Sequence, residues 1–209
     1  MDEWTYNLDQ GIQIDVVYTD FEKAFDKVPH QDLISKLEAY NLNILLLWIQ
    51  DFLCNRKQRV INGTYSQWYR VDSGIPQGSI LGPLLFLIYI NDLPNVTQNT
   101  DTRIFLYADD AKIYRRITCV EDSQCLQRVI DKVKQWCDEW LLPLNVSKCN
   151  VMSFTSKINL DTSYCIRNKD SKHTIQKVDS IKDLRILFDT RLNFKDHIQE
   201  KINKANMQS

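Results

Sequence analysis

Residues 104–114, Ile-Phe-Leu-Tyr-Ala-Asp-Asp-Ala-Lys-Ile-Tyr, set two short runs of β-branched and aromatic residues on either side of a small polar break. Such runs form strands, and a break this short forms a tight turn, so the stretch predicts an antiparallel hairpin. At its tip sit two adjacent acids, Asp109 and Asp110. Like charges this close raise each other's pKa. A divalent cation removes that cost, and hard cations such as Mg²⁺ prefer carboxylate oxygens. A solvated Asp-Asp turn accounts for the same residues. The stretch alone leaves both readings open.

The remaining chain has to provide the layers that bury this hairpin. With 209 residues, 44% hydrophobic and 25% charged, a substantial core is available. Five Gly and five Pro argue against a disordered chain. The net charge of −1 gives no overall basic signature, so any contact with nucleic acid has to come from a local face. The six cysteines (54, 119, 125, 137, 149, 165) contain no C-x-x-C pair. The N-terminus is acidic and polar and does not read as a signal peptide. The thiols are therefore expected to be reduced and mostly buried, in an intracellular protein, nuclear or cytoplasmic rather than secreted. The sequons at Asn62, Asn95 and Asn145 are then inert. The apolar run Leu84 to Ile90 is too short to span a bilayer, and no membrane partner is expected.

Along the chain, residues 1–13 are polar and weakly patterned. Ile14 to Tyr18 reads as a strand ending close to Asp20, and a strand end fixes a carboxylate better than a loop does. Asp20 would serve equally as a helix cap. For Asp26 a structural role is favoured. Helical spacing covers Gln31 to Tyr40 and Ile44 to Leu53, the second as core. Asn55-Arg-Lys-Gln-Arg59 is a solvated turn or a phosphate contact. Val60 to Val71 reads as a hairpin turning at Asn62-Gly63. Two glycines flank Pro76-Gln77 before the apolar helix Ile80 to Ile90, giving a sharp turn that lets a ligand approach the backbone. Asp122 to Leu142 carries the clearest amphipathic stripe (Leu126, Val129, Ile130, Val133, Trp136, Trp140), with Asp122-Ser123 as its cap and Pro143 as its stop. Val151 to Phe154 reads as a strand, 156–180 as a loose hairpin, Ile186 to Phe188 as a short strand, and Asn193 to Ala205 as a helix with Phe194, Ile198 and Ile202 on one face. The pattern fits a single α+β sheet domain.

Three stretches are far more specific together than apart. Asp20-Phe-Glu-Lys-Ala-Phe-Asp26, Gly74-Ile-Pro-Gln-Gly-Ser79 and Tyr107-Ala-Asp-Asp110 stand in the order and spacing of palm motifs A, B and C, and the chain resembles the reverse transcriptases of non-LTR (LINE-like, jockey-type) retrotransposons. Leu81 to Pro94, Leu144 to Cys149 and Lys182 to Phe188 agree, so the resemblance extends from Trp4 to Asn206.

The resemblance implies an α+β polymerase palm, with a mainly antiparallel sheet packed on helices and fingers and thumb largely missing. Residues 1–155 would be the palm core with motifs A to D, and 156–209 a motif E-like hairpin and the start of the thumb connection. It implies RNA-directed DNA polymerisation with two Mg²⁺ ions (Mn²⁺ as a substitute), an RNA template, a DNA primer and deoxynucleoside triphosphates; nothing in the sequence points to an obligate protein partner. Asp20, Asp109, Asp110 and the Phe21 carbonyl would hold the metals. Phe25 would block a ribose 2′-OH, and an ordinary core Phe fits that position too. Gln77 and Gly78 would lie beside the incoming nucleotide and Tyr107 near the primer end. Lys148 would give a proton to the departing pyrophosphate. Arg185 stands where the family has Gly, which puts the primer-grip hairpin in doubt. A fragment is expected, with its own activity open. Two alternatives remain: a non-catalytic nucleic-acid-binding remnant, and a group II intron maturase-like polymerase, against which the wording of residues 21–26 and 81–86 weighs.

Overall fold

In the computed structural model, residues 2–157, 160–168 and 171–207 are described. The chain runs through α1 (Asp2–Asp9), β1 (Gln13–Asp20), α2 (Ala24–Lys27), α3 (His30–Ala39) and α4 (Asn43–Leu53). Four two-residue strands follow: β2 (Lys57–Gln58), β3 (Ile61–Asn62), β4 (Thr64–Tyr65) and β5 (Tyr69–Arg70). Then come α5 (Leu81–Ile90), β6 (Arg103–Tyr107), β7 (Asp110–Ile117), α6 (Val120–Glu139) and β8 (Asn150–Phe154). The last elements are β9 (Cys165–Arg167), β10 (Lys172–Thr174), β11 (Gln176–Lys177), β12 (Ser180–Asp183), β13 (Ile186–Asp189) and α7 (Lys195–Asn206). They form two compact units: Met1–Asp20, Val96–Lys134 and Asn145–Ser209 make the first, Phe21–Asn95 and Gln135–Leu144 the second.

The first unit is built on a five-stranded sheet in the order β11-β8-β1-β7-β6, antiparallel except for the β11–β8 pair. Strand side chains alternate between faces, and β1 shows why the sheet closes. Ile14 and Val16 on one face pack with Trp4, Leu8, Tyr114, Met152, Phe154 and Phe188. The opposite face carries Asp15, fully buried. A lone buried carboxylate is costly, and this one accepts hydrogen bonds from Gln13 Nε2 (2.8 Å), Thr162 Oγ1 (2.6 Å) and Tyr164 Oη (2.6 Å). Burial and the Asp15 charge together push the Tyr164 phenol well above its usual pKa.

One expectation changes in this unit. The weakly patterned N-terminus folds as α1, because Trp4 and Leu8, one turn apart, bury against the sheet while Asp2 and Glu3 occupy its favourable first turn. The helix expected over Asn193 to Ala205 forms as α7, with Phe194 packed on Phe188 at its start and Ile198 and Ile202 exposed. Helix α6 begins at Val120, two residues before the expected cap, and Asp122 in its first turn accepts from the Thr118 N–H and hydroxyl. Residues 156–180 contain the expected hairpin as β9–β10.

The second unit is mainly helical. Leu33, Leu37, Leu53, Leu85, Phe86, Tyr89 and Ile90 are fully or almost fully buried. Lys36 is buried among them, donating to the Tyr89 carbonyl and the Asp92 carboxylate (both 2.5 Å), with its ammonium 3.6 Å from the Trp140 ring centre. Burial holds its pKa below the usual lysine value. All six cysteines are free thiols; Cys137, Cys149 and Cys165 are buried. Among the described residues no helix is long and apolar enough to cross a membrane.

Candidate active site

Strand β1 delivers Asp20 at its C-terminal end, and its partner across the antiparallel ladder is Asp110. The β6–β7 turn consists of Ala108 and Asp109, because Tyr107 pairs with Asp110. Ala108 takes φ 51°, a value more usual for glycine at the first central residue of such a turn, and so stores strain where the acids are presented. Two further bonds hold the Asp20 end of β1: the Asn145 N–H donates to the Asp20 carbonyl (2.8 Å), and Thr19 Oγ1 donates to the Ala111 carbonyl (3.0 Å).

A cavity of about 220 Å³ opens here, lined among others by Asp20, Asp110, Lys112, Lys148, Asn150 and Asp183. Partial burial, and then the neighbouring charges of Asp109, Asp183 and Asp20, raise the pKa of Asp110. Lys148 Nζ lies 3.4 and 3.5 Å from the two Asp20 carboxylate oxygens, and Lys112 is paired with Asp183. Tyr18 Oη is buried with no hydrogen-bond partner among the described residues, and burial and Asp183 hold its pKa far above normal. Among the described residues, no three acid, His or Cys side chains already converge as a metal cage. The donor set nevertheless fits a hard divalent cation: carboxylates on facing strand ends, mutually repelling, with only an exposed lysine as counter-charge to Asp20.

The second unit gathers other predicted residues. Phe25 stacks on Phe86 (ring centres 4.6 Å apart) and lines a cavity of about 440 Å³ with Pro76, Gln77, Gly78, Ile80 and Pro83. Gln77 Nε2 donates to the Asp26 carboxylate at 3.1 Å. The turn holds its shape because Gly74, at φ 92°, passes so close to Asp26 that a Cβ would lie 2.9 Å from the Asp26 carbonyl oxygen. The Asp26 backbone sets this close approach, while its carboxylate orients Gln77. Phe21 is buried and bridges to Leu144. Tyr107 is exposed on β6.

Sequence reasoning passed over Lys112 and Asp183. Lys112 had a signal, since it is two residues beyond Asp110 and shares its face of β7. Asp183 lies in the stretch Lys182 to Phe188, but its pairing with Lys112, 71 residues away, had no local signal.

A model of the reverse transcriptase (RNA-dependent DNA polymerase) family matches residues 9–188. The chain belongs to this reverse transcriptase family. It is 32% identical over 188 residues to the RNA-directed DNA polymerase from mobile element jockey of Drosophila funebris, covering 87% of this chain and 20% of that protein. It is also 32% identical over 190 residues to the probable RNA-directed DNA polymerase from transposon BS of Drosophila melanogaster, covering 88% and 21%. The chain spans about a fifth of the length of these curated relatives. In fold it is similar to apo telomerase from Candida tropicalis (TM-score 0.60, 10% identity, 93% of this chain and 38% of that one), which supports the palm-type α+β architecture. Candida albicans telomerase in complex with a fragment of telomeric RNA is similar too (TM-score 0.52, 13% identity, 91% and 32%).

Proposed function

We propose that this chain is the catalytic palm of an RNA-directed DNA polymerase, which extends a DNA primer on an RNA template. The observation that carries the reading is the direct opposition of Asp20 and Asp110, with Asp109 in the adjoining turn. Asp20, Asp109 and Asp110, with the Phe21 carbonyl, would hold two Mg²⁺ ions. When bound, these would lower the pKa of the attacking hydroxyl and stabilise the leaving oxygen. The chain's own groups do the positioning. Lys148, whose Nζ lies 3.4 Å from the Asp20 carboxylate, would supply a proton to a departing pyrophosphate. Phe25, fixed by its stacking on Phe86, presents an apolar wall that disfavours a ribose 2′-OH. Gln77, oriented by Asp26, and Gly78 line the same cavity, where a nucleotide would sit. Tyr107 would pack at the primer end. Residues 1–155 would carry motifs A to D and 156–209 the primer-grip hairpin and thumb connection, with action inside the cell.

The test pairs a binding measurement with an activity measurement. Mg²⁺ or Mn²⁺ is expected to raise the Tm of the chain and not that of Asp20→Ala or Asp109→Ala. Deoxynucleotide incorporation on poly(rA)/oligo(dT) is expected to fall to background in Asp109→Ala. A Tm indifferent to both metals, with incorporation no higher than in Asp109→Ala, would sink the reading.

A further inference from the structure

The stretch Asn55-Arg-Lys-Gln-Arg59 folds into one arm of a two-part hairpin in the second unit. Strand β2 pairs with β5 and β3 with β4, and the Val71 N–H closes the base on the Arg56 carbonyl (3.0 Å). Of residues 55–70 all but Ser66 are exposed. They contain Arg56, Lys57, Arg59 and Arg70 and no acid, in a chain whose net charge is −1.

Two features of this hairpin work against its own stability. Lys57 stands directly opposite Arg70 in the ladder, and like charges in that position repel. Asp72 relieves Arg70 at 2.8 Å, while Lys57 has no ion-pair partner among the described residues. Three large aromatics, Tyr65, Trp68 and Tyr69, are 64%, 59% and 62% accessible instead of buried. The Arg59 guanidinium lies 4.0 Å from the Tyr65 ring centre and 4.6 Å from that of Trp68, which holds a planar cation among the rings. Cations interleaved with open rings suit one class of ligand, an anionic chain carrying flat bases. The base of the hairpin also opens on a cavity of about 520 Å³ that Arg56 and Gln58 line together with Gln77.

We propose that the 56–71 hairpin is a platform for a single strand of nucleic acid, with bases stacked on Trp68 and Tyr69 and phosphates held by Arg56, Lys57 and Arg59. Stacking needs unpaired bases, which separates a single strand from a duplex. The proposal rests on the polymerase reading only in making that strand the template ahead of the Gln77 cavity. The binding itself does not require it.

The test is fluorescence anisotropy of a fluorescein-labelled 15-nucleotide RNA, titrated with the full chain in EDTA at several salt concentrations. Trp68→Ala is expected to weaken binding about tenfold and Trp68→Phe to restore it, the range seen for loss of one stacked base. Lys57→Gln and Arg59→Gln should each flatten the slope of log K against log salt by about 0.7. A blunt duplex should be insensitive to Trp68→Ala. Equal strand affinity in Trp68→Ala, Arg59→Gln and the parent overturns the proposal. So does self-association through this face, seen by sedimentation as a dimer lost in Trp68→Ala, with no strand binding. Hairpin-dependent binding with a Tm indifferent to both metals and no nucleotide incorporation leaves this inference standing and removes the polymerase reading; incorporation with hairpin-independent binding does the reverse.

Discussion

Asp20 and Asp110 are direct cross-strand partners, the last residue of β1 against the first of β7. Two carboxylates so placed oppose the fold that holds them. Asp110 has a native pKa above its ordinary value of 3.8, so the folded chain keeps this proton more readily than the unfolded one. Its contribution to stability is present below about pH 3.8 and is lost as pH rises through the raised native pKa. Asp110→Asn is therefore expected to raise Tm by about 1–2 °C at pH 7, with no gain near pH 3, while abolishing incorporation. Saturating Mg²⁺ should narrow the Tm difference. A variant less stable than the parent at pH 7 would show that neither partial burial nor the neighbouring acids penalise the charged form.

The β12–β13 hairpin turns through Leu184 and Arg185, at φ 46° and 69°. The doubt attached to Arg185 thus has a local cause: the turn needs left-handed backbone at both central residues, the conformation that favours glycine and asparagine. Arg185→Gly is expected to stabilise the chain by about 0.5–1 kcal/mol in urea unfolding. An unchanged midpoint would mean that the arginine side chain offsets its own strain.

Removing the buried Asp15 carboxylate leaves Gln13, Thr162 and Tyr164 without their shared acceptor. Asp15→Ala should cost about 3 kcal/mol or more, since hydrogen bonds to a charged group contribute about 1.5–3 kcal/mol each and unmatched donors stay buried. A loss under 1 kcal/mol in chemical denaturation would mean that water replaces the carboxylate.

Asp26 and Gln77 are exposed and joined by one side-chain hydrogen bond. Asp26→Ala should leave stability within about 0.5 kcal/mol. It should raise the KM for deoxynucleotides about three- to tenfold, with a smaller change in kcat, because a freed Gln77 has to be ordered at each binding event. A fall in kcat alone would assign Asp26 to another step.

The acid site was legible because its signals are local. Asp109 and Asp110 sit in a two-residue break between strand-forming runs, and Asp20 ends another such run. Asp15 escaped notice because the residues that justify burying it, Thr162 and Tyr164, lie 147 and 149 positions away. Helix α1 escaped because its apolar face is only Trp4 and Leu8, too few to establish a period. The α7 period was legible in the same local way, and it forms a helix on which Ile198 and Ile202 stay exposed.

Strand β1 is bonded on both sides, to β7 over eight residue pairs and to β8 over five. Both ladders hold β1 as far as Tyr18, and beyond it Asp20 is kept in place by its β7 partner Asp110 on one flank and by the Asn145 N–H on its carbonyl. Amide exchange along Ile14 to Tyr18 should be among the slowest in the chain, close to the rate set by global opening. Heating would then dismantle the presentation of this carboxylate late, together with the sheet itself, and leave no softened intermediate in which the strand survives with its acid astray.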